Sequence, residues 1–596
     1  MIVSRLPLAL ALLSLLAACK PPAPAATTST DPQAEAAFAD LSQRALEFWF
    51  ARSPVFATQM GEHRYDSEVD DLGAASRDKS LLATQALLAD LAGIDRAQLS
   101  RENQIDAAIL ANQLEYDAWR TQTLQDWAWD PLLYNSLAGD ALYVVATREF
   151  APLPQRLQSL IARMEKIPAL LAQARANLDP ARVPKPHAET VSKQNPGILT
   201  IVTEFITPHA KELSAADQTR LAAATAGVQK AVAEHQRWLD QTLVPNAKGD
   251  FRLGAALYDQ KLKFALLSTL SRAGIKQRAA AEITRVRATM YDIARAQLTG
   301  KPRAPPLPEK PTAEQQQAAI EAALELAYAD RPRRDKVVES ATAALREATE
   351  FVRAKDLVTL PDSPVKVFAM PEFQRGVAVA YSDSPGPLDK NLATLYAISP
   401  IPRDWSTAQV DSYLREYNNR MIQLLSVHEG LPGHYLEGWH SGKHPSLLRA
   451  VLRSGLFAEG WAVYCERLVQ EAGYVNNDPL FHLVQLKFYL RTVSNAILDQ
   501  GVHVDGWTRE QAMDLMVRQT FQQQSEAAGK WTRVQLTAAQ LPTYFVGVQE
   551  FLDLRAAVQQ REGSGFNLKA YHDRVLSYGA PPVRFVREMM LDEPIQ

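Results

Sequence analysis

Apolar residues along the first half of the chain recur at spacings of three and four, so a mainly helical region is expected from about Glu35 to Lys301. Leu153, Leu157, Leu160, Ile161, Met164 and Ile167 form one such run, and Pro168 is expected to end it. No fixed period repeats, which points to a packed helical lobe over residues 35–301 and excludes a solenoid. Pro302, Pro305, Pro306, Pro308 and Pro311 mark a connection over residues 302–312. The stretch "PTAEQQQAAIEAALELAYAD" then opens a second helical lobe over residues 313–596.

Between residues 363 and 401 the texture changes to short β-rich pieces, "PVKVFAM", "GVAVAYS" and "LATLYAI", separated by Pro and Gly. A small antiparallel sheet is expected there. Ser406 with Gln409 has the form of a capping box, opening a helix that turns Tyr413, Tyr417, Met421, Leu424 and Leu425 inward and ends at His428. The expected fold is therefore mainly α and two-lobed, with the small sheet beside the helix that ends at His428.

The chain has 596 residues, 47 % apolar and 22 % charged, as in an ordinary globular protein. Lys and Arg number 64 against 67 acidic residues, a balance that offers no general attraction to nucleic acid. The start, "MIVSRLPLALALLSLLAACK", joins Arg5 to an apolar run too short for a membrane span and reads as a secretion signal over residues 1–18. Leu16-Ala17-Ala18-Cys19 resembles a bacterial lipoprotein box, implying cleavage before Cys19 and its lipidation; the alternative is a plain signal peptide that contains a cysteine. Residues 19–34 suit an extended tether. Lys20, where retained lipoproteins carry Asp, implies the outer membrane, facing the periplasm, with the lipid as the sole membrane contact. Cys465 is the only other cysteine, so no intramolecular disulfide is expected once Cys19 carries lipid.

The stretch "SVHEGLPGHYLE" contains a stretched form of the zinc-hydrolase signature His-Glu-x-x-His. The usual spacing of four sets both imidazoles on one helical face. His428 and His434 are six apart, and on an unbroken helix they would point roughly 240° from each other. Pro432 and Gly433 lie between them, however, and Pro432 must clash with the carbonyl of His428. A break there can swing His434 back toward His428.

A catalytic zinc needs a third protein ligand. In "LFAEGWAVYCERL", Glu459 and Glu466 are seven apart on one helical face, 25 and 32 residues after His434. Glu459 is the better third ligand, and Glu466 suits a partner that orients a histidine. Glu429 takes the general-base position. Tyr544 and His503 are candidate donors to a developing oxyanion, and Arg491 and Arg533 candidate binders of a peptide carboxylate. Each of these four is as readily a core or ion-pair group. His440 and His444 are spare ligands or loop histidines. No Gly-x-Ser-x-Gly or Gly-rich phosphate loop is present, and Cys465 lies in an apolar helix with no evident histidine partner.

These residues resemble a largely bacterial family, domain of unknown function 885. Its His-Glu-x-x-Pro-Gly-His is matched by His428, Glu429, Pro432, Gly433 and His434, and its Glu-Gly-Trp-Ala by Glu459 to Ala462. "GEHRYD" from Gly61, "DQGVHVDGWTREQA" from Asp499 and "YHDRVLSYGAPP" from Tyr571 are similar to further family segments. Arg533, Gln540, Tyr544 and Gly547 keep the spacing of another, with Ala538 and Ala539 where it has Pro-Gly. The family is distantly similar to gluzincin-type zinc peptidases, which implies a deep cleft between two helical lobes. It implies one catalytic zinc on His428, His434 and Glu459, and Glu429 as base.

The expected function is a lipid-anchored zinc metallohydrolase of the cell envelope, a peptidase whose substrate lies extended along a sheet edge in the cleft. The alternatives are a zinc hydrolase of non-peptide amides or esters and a non-enzymatic helical binding lipoprotein. Substrate and oligomeric state stay open.

Overall fold

The structure, a computed structural model, describes residues 30–361, 365–370, 380–389, 392–402 and 405–596. Cys19 and most of the tether lie outside them, as do parts of the first two β-rich pieces. Helices make up 73 %, so the fold is mainly α, as the periodicity implies.

The N-terminal part is built on α1 (Pro32–Arg52), α2 (Pro131–Thr147), α3 (Leu153–Asn177) and α4 (Ala215–Trp238). The last three share one apolar core. Helix α3 does not stop at Pro168. It runs through it, because buried Leu170, Leu171 and Ala174 continue the stripe begun by Leu157 and Leu160. Packing against α2 and α4 thus outweighs the backbone hydrogen bond that proline removes.

Next come α5 (Gly254–Leu266), α6 (Arg272–Leu298), α7 (Ala313–Tyr328) and α8 (Val337–Ala354). Tyr258 of α5 and Met290 of α6 already belong to the core of the C-terminal half. The proline-rich stretch therefore links α6 to α7 inside that core, and the Pro308 carbonyl accepts a bond from Tyr291 at 2.5 Å. Thr312 and Gln315 form a full capping box on α7.

Strands β1 (Lys366–Ala369), β2 (Ala380–Asp383) and β3 (Leu395–Ile398) form a sheet in the order β1-β3-β2. It is mixed, contrary to the antiparallel sheet expected, since β1 pairs with β3 in parallel and β2 antiparallel. Tyr396, Ala397 and Ile398 make β3 the most buried strand, so it takes the centre and leaves β1 and β2 outside. The sheet packs on α8 through Val337, Ala341 and Leu345.

Beyond it lie α9 (Thr407–Glu416), α10 (Asn419–Glu429), α11 (His434–Gly442), α12 (Gly455–Glu471), α13 (Pro479–His503), α14 (Gln524–Leu536) and α15 (Pro542–Glu562). Ser406 and Gln409 do form a capping box. The single helix expected up to His428 is two, since Asn418 accepts bonds from the amides of Arg420 and Met421 and starts α10 afresh.

Candidate metal centre

Helix α10 ends at Glu429, the Leu431-Pro432 bond is cis, and α11 begins at His434. The turn is pressed back on the helix it leaves. Gly433 donates its amide to the Val427 carbonyl at 3.0 Å. The Pro432 carbonyl accepts from Trp461 Nε1 at 2.8 Å and lies 3.4 Å from Cys465 Sγ, which fastens the turn to α12. The two imidazoles then stand edge to face with their centres 4.8 Å apart.

Glu459 on α12 faces both. Its Oε2 lies 3.4 Å from His434 Nε2 and 3.9 Å from His428 Nε2. These three residues are the one group of metal-type donors found among the described residues, with ligand atoms within 4.8 Å of one another. Glu459 Oε2 is buried and has no hydrogen-bond partner. A buried carboxylate oxygen left bare between two imidazole nitrogens suits a cation, and two nitrogens with one oxygen suit zinc.

Glu466, one face-repeat along α12, is fully buried with Oε1 2.6 Å from His428 Nδ1. The second nitrogen of that ring is thereby occupied and Nε2 is left to point at Glu459. Burial pushes the Glu466 carboxyl up and opposes the charge on His428, yet their bond brings the imidazole up to about 9. Burial likewise opposes ionised Glu459, but His434, His428 and Tyr544 hold it down at about 2. Glu429 is pushed up by burial, and its Oε2 accepts the Ser382 amide of β2 at 3.1 Å.

Tyr544 on α15 bonds Glu459, and burial beside that carboxylate pushes its phenol up to about 12. Helices α12 and α15 meet backbone to backbone: a Cβ on Gly460 would fall 2.6 Å from Gly547 Cα. Arg533 Nη2 donates to Tyr544 at 3.3 Å and to Gln540 at 2.9 Å.

These side chains line a cleft of about 1770 Å³ that also takes in Met60 and Leu133 of the N-terminal part and strand β2. Arg491 lines it too, but its charge is committed to Glu526 at 2.5 Å. His503 is not in the cleft. Contrary to the oxyanion role expected, its Nε2 meets the carbonyls of Val534 and Thr537 at 2.7 and 2.9 Å, so it braces the end of α14. His440 and His444 are likewise no part of the triad.

Sequence reasoning missed Lys530, a buried cleft residue on α14 whose Nζ is 3.1 Å from Asn495 Oδ1. It missed His63 as well. Its Nδ1 and Nε2 each lie 3.0 Å from a carboxylate, Asp66 and Asp389, tying the N-terminal part to the loop after β2.

Residues 54–590 match a family described as bacterial protein of unknown function, DUF885. The chain is a DUF885 protein. No match was found among curated proteins. This DUF885 chain is similar to the solved structure of a candidate lipoprotein of unknown function from Shewanella oneidensis, at 34 % identity and TM-score 0.78, over 93 % of this chain and 99 % of that one. A candidate lipoprotein from Colwellia psychrerythraea shares the fold at TM-score 0.76 and 20 % identity, over 95 % and 99 % of the two chains. The Gly61–Asp66 and Asp499–Ala512 segments of this DUF885 protein act as braces. Asp499 Oδ2 accepts from Tyr258 at 2.7 Å and from the Ala539 amide at 2.8 Å. Ala539, where the resembling pattern has glycine, sits at φ +63°.

Proposed function

We propose that this protein is a zinc-dependent hydrolase of the bacterial cell envelope that cuts peptide bonds. The observation that carries the proposal is the unpartnered buried Oε2 of Glu459, facing Nε2 of both His428 and His434. Those three side chains would hold the ion. Zinc bound there would acidify a water and polarise the scissile carbonyl.

Glu429 is the base that takes the proton of the attacking water and passes it to the leaving amine. Its raised affinity for a proton, a product of burial, suits both transfers. Tyr544 has its hydroxyl beside Glu459 and donates to the oxygen on which charge develops. Glu466 keeps His428 in the orientation that turns Nε2 inward. A peptide is favoured as substrate because β2, one of the two outer strands of the described sheet, lines the cleft and reaches Glu429 through its Ser382 amide. An extended chain can add to such an edge.

An envelope location is supported by the lipobox at Cys19 and by the two relatives described as candidate lipoproteins. Among the described residues no helix is long and apolar enough to cross a membrane.

Glu429→Gln is the test. A soluble chain beginning near Asp31 should bind about one zinc and cleave members of a peptide library, and Glu429→Gln should keep the zinc and lose nearly all turnover. Cleavage of amides or esters alone would reassign the substrate. A variant as active as the parent would remove Glu429 as the base, and a parent that takes up no zinc and cleaves nothing would leave a binding protein.

A further inference from the structure

Two basic side chains in the cleft have no carboxylate of the described residues in direct contact. Lys530 and Arg533 lie three residues apart on one face of α14, and no carboxylate of the described residues pairs with either within 4.0 Å. Arg491, on the neighbouring helix, is satisfied by Glu526, which also accepts a bond from Tyr417 at 3.1 Å. Glu526 and Glu459 attract Lys530 only from beyond ion-pair distance, so no carboxylate touches either basic side chain. Lys530 is only 4 % exposed, lines the cleft, and donates to the Asn495 amide oxygen. A lysine so deeply buried is costly without an anion. Burial, with Arg491 and Arg533 close by, pushes its ammonium well down against the pull of Glu526 and Glu459, and an arriving carboxylate would add to that pull. Arg533 is joined to ligand Glu459 through one group, the Tyr544 hydroxyl. The anion site and the triad are thus neighbours along one wall.

Granted the hydrolase function proposed above, we propose that Lys530 and Arg533 receive the free α-carboxylate of a peptide's C-terminus, and that the protein removes short pieces from that end. The planar guanidinium matches a carboxylate with two parallel donors, and the ammonium supplies a point charge beside it. Anchored there, an extended chain runs past the triad toward β2, and the bond presented for cleavage lies near the terminus. In the reaction the C–N bond breaks, the hydroxyl of water joins the acyl carbon, and the water proton leaves with the amine. No redox partner is needed.

The test uses zinc-loaded Glu429→Gln, which binds without turnover, and three probes: tetra-alanine, its C-terminal amide, and an amide with glutamate in place of the last alanine. Calorimetric titration should show the free acid binding at least ~10-fold tighter than the plain amide, the strength of one or two charged hydrogen bonds. Adding Lys530→Met or Arg533→Met should collapse that ratio toward one, and Arg533→Lys should recover part of it. Circular dichroism of each variant checks the fold. With active protein, mass spectrometry should place the cut within about three residues of the free terminus, the reach of a short extended segment.

Equal binding of acid and amide, with Glu429-dependent cleavage intact, would overturn the subsite alone. Tight binding of the glutamate amide but not of the free acid would also overturn it, assigning the cations to an acidic side chain. Binding of none of the probes, with no cleavage by the parent, would remove the peptidase function and the subsite together.

Discussion

Replacing Gly433 by alanine tests how the second histidine reaches the triad. A Cβ at this position would stand 2.0 Å from the His428 carbonyl oxygen, 2.4 Å from that of Val427 and 2.6 Å from His428 C. All three are backbone atoms at the end of α10, so no side chain can swing aside. Cβ contacts below 3.0 Å do not occur, and α11 must therefore retreat by about 1 Å from the helix it touches. The retreat breaks the Gly433 to Val427 hydrogen bond and carries His434 with it. Crowding of this kind costs about 1–3 kcal/mol of stability. The loss at the metal is larger in proportion, because ligand distances tolerate only about 0.2 Å. Zinc affinity should fall at least ~10–100-fold, the loss that follows when only a supporting group is removed. Competition against a chromophoric chelator gives the affinity, and near-ultraviolet circular dichroism shows whether the core survives. Gly433→Ala with parental zinc affinity and parental melting temperature would refute both the close approach and its role in bringing His434 home.

Glu466→Ala frees His428 Nδ1 and should lower zinc affinity ~10–100-fold with the fold retained; unchanged affinity would deny that Glu466 orients the ring. Asp499→Ala strands the Tyr258 hydroxyl and the Ala539 amide, and denaturant titration should register roughly 2–4 kcal/mol of lost stability with zinc binding kept. Burial opposes the His63 imidazolium, but bonds to Asp389 and Asp66 outweigh it and raise its pKa to about 9. A group raised above its unfolded value of about 6.5 stabilises fully below that pH and loses its contribution as pH rises through about 9. The parent's melting temperature should accordingly fall between pH 7 and 10, and a His63→Gln variant should show a smaller fall; identical slopes would remove His63 from the account.

Local rules carried far where the deciding interaction is local. The capping box at Ser406 and the break at Pro432 follow from residues within a few positions of each other. Glu459 and Glu466 share a face because seven residues are nearly two turns. The same rules fall short where distant packing decides. Pro168 stays inside α3 because the buried stripe continues beyond it, and Asn418 restarts a helix that the apolar pattern leaves whole. Strand composition marks β1 and β3 but carries no record of their parallel pairing. His503 lies outside the cleft and the unread Lys530 lies in it for one reason: a lone polar residue in an amphipathic helix gives no sign of which neighbour it will meet. The histidine met two carbonyls and the lysine an open cleft.

The crossing of α12 and α15 at Gly460 and Gly547 has a consequence for redesign. Glu459 is adjacent to one glycine and Tyr544 lies one turn from the other, and main chains in direct contact leave no compressible layer between them. The spacing of the carboxylate and the phenol is thus a fixed datum, indifferent to how the surrounding core is repacked. The wall formed by α14 touches that pair only through the Arg533 bond to the Tyr544 hydroxyl, so it can be rebuilt around Arg533 to admit other ligands while the spacing of the pair is kept.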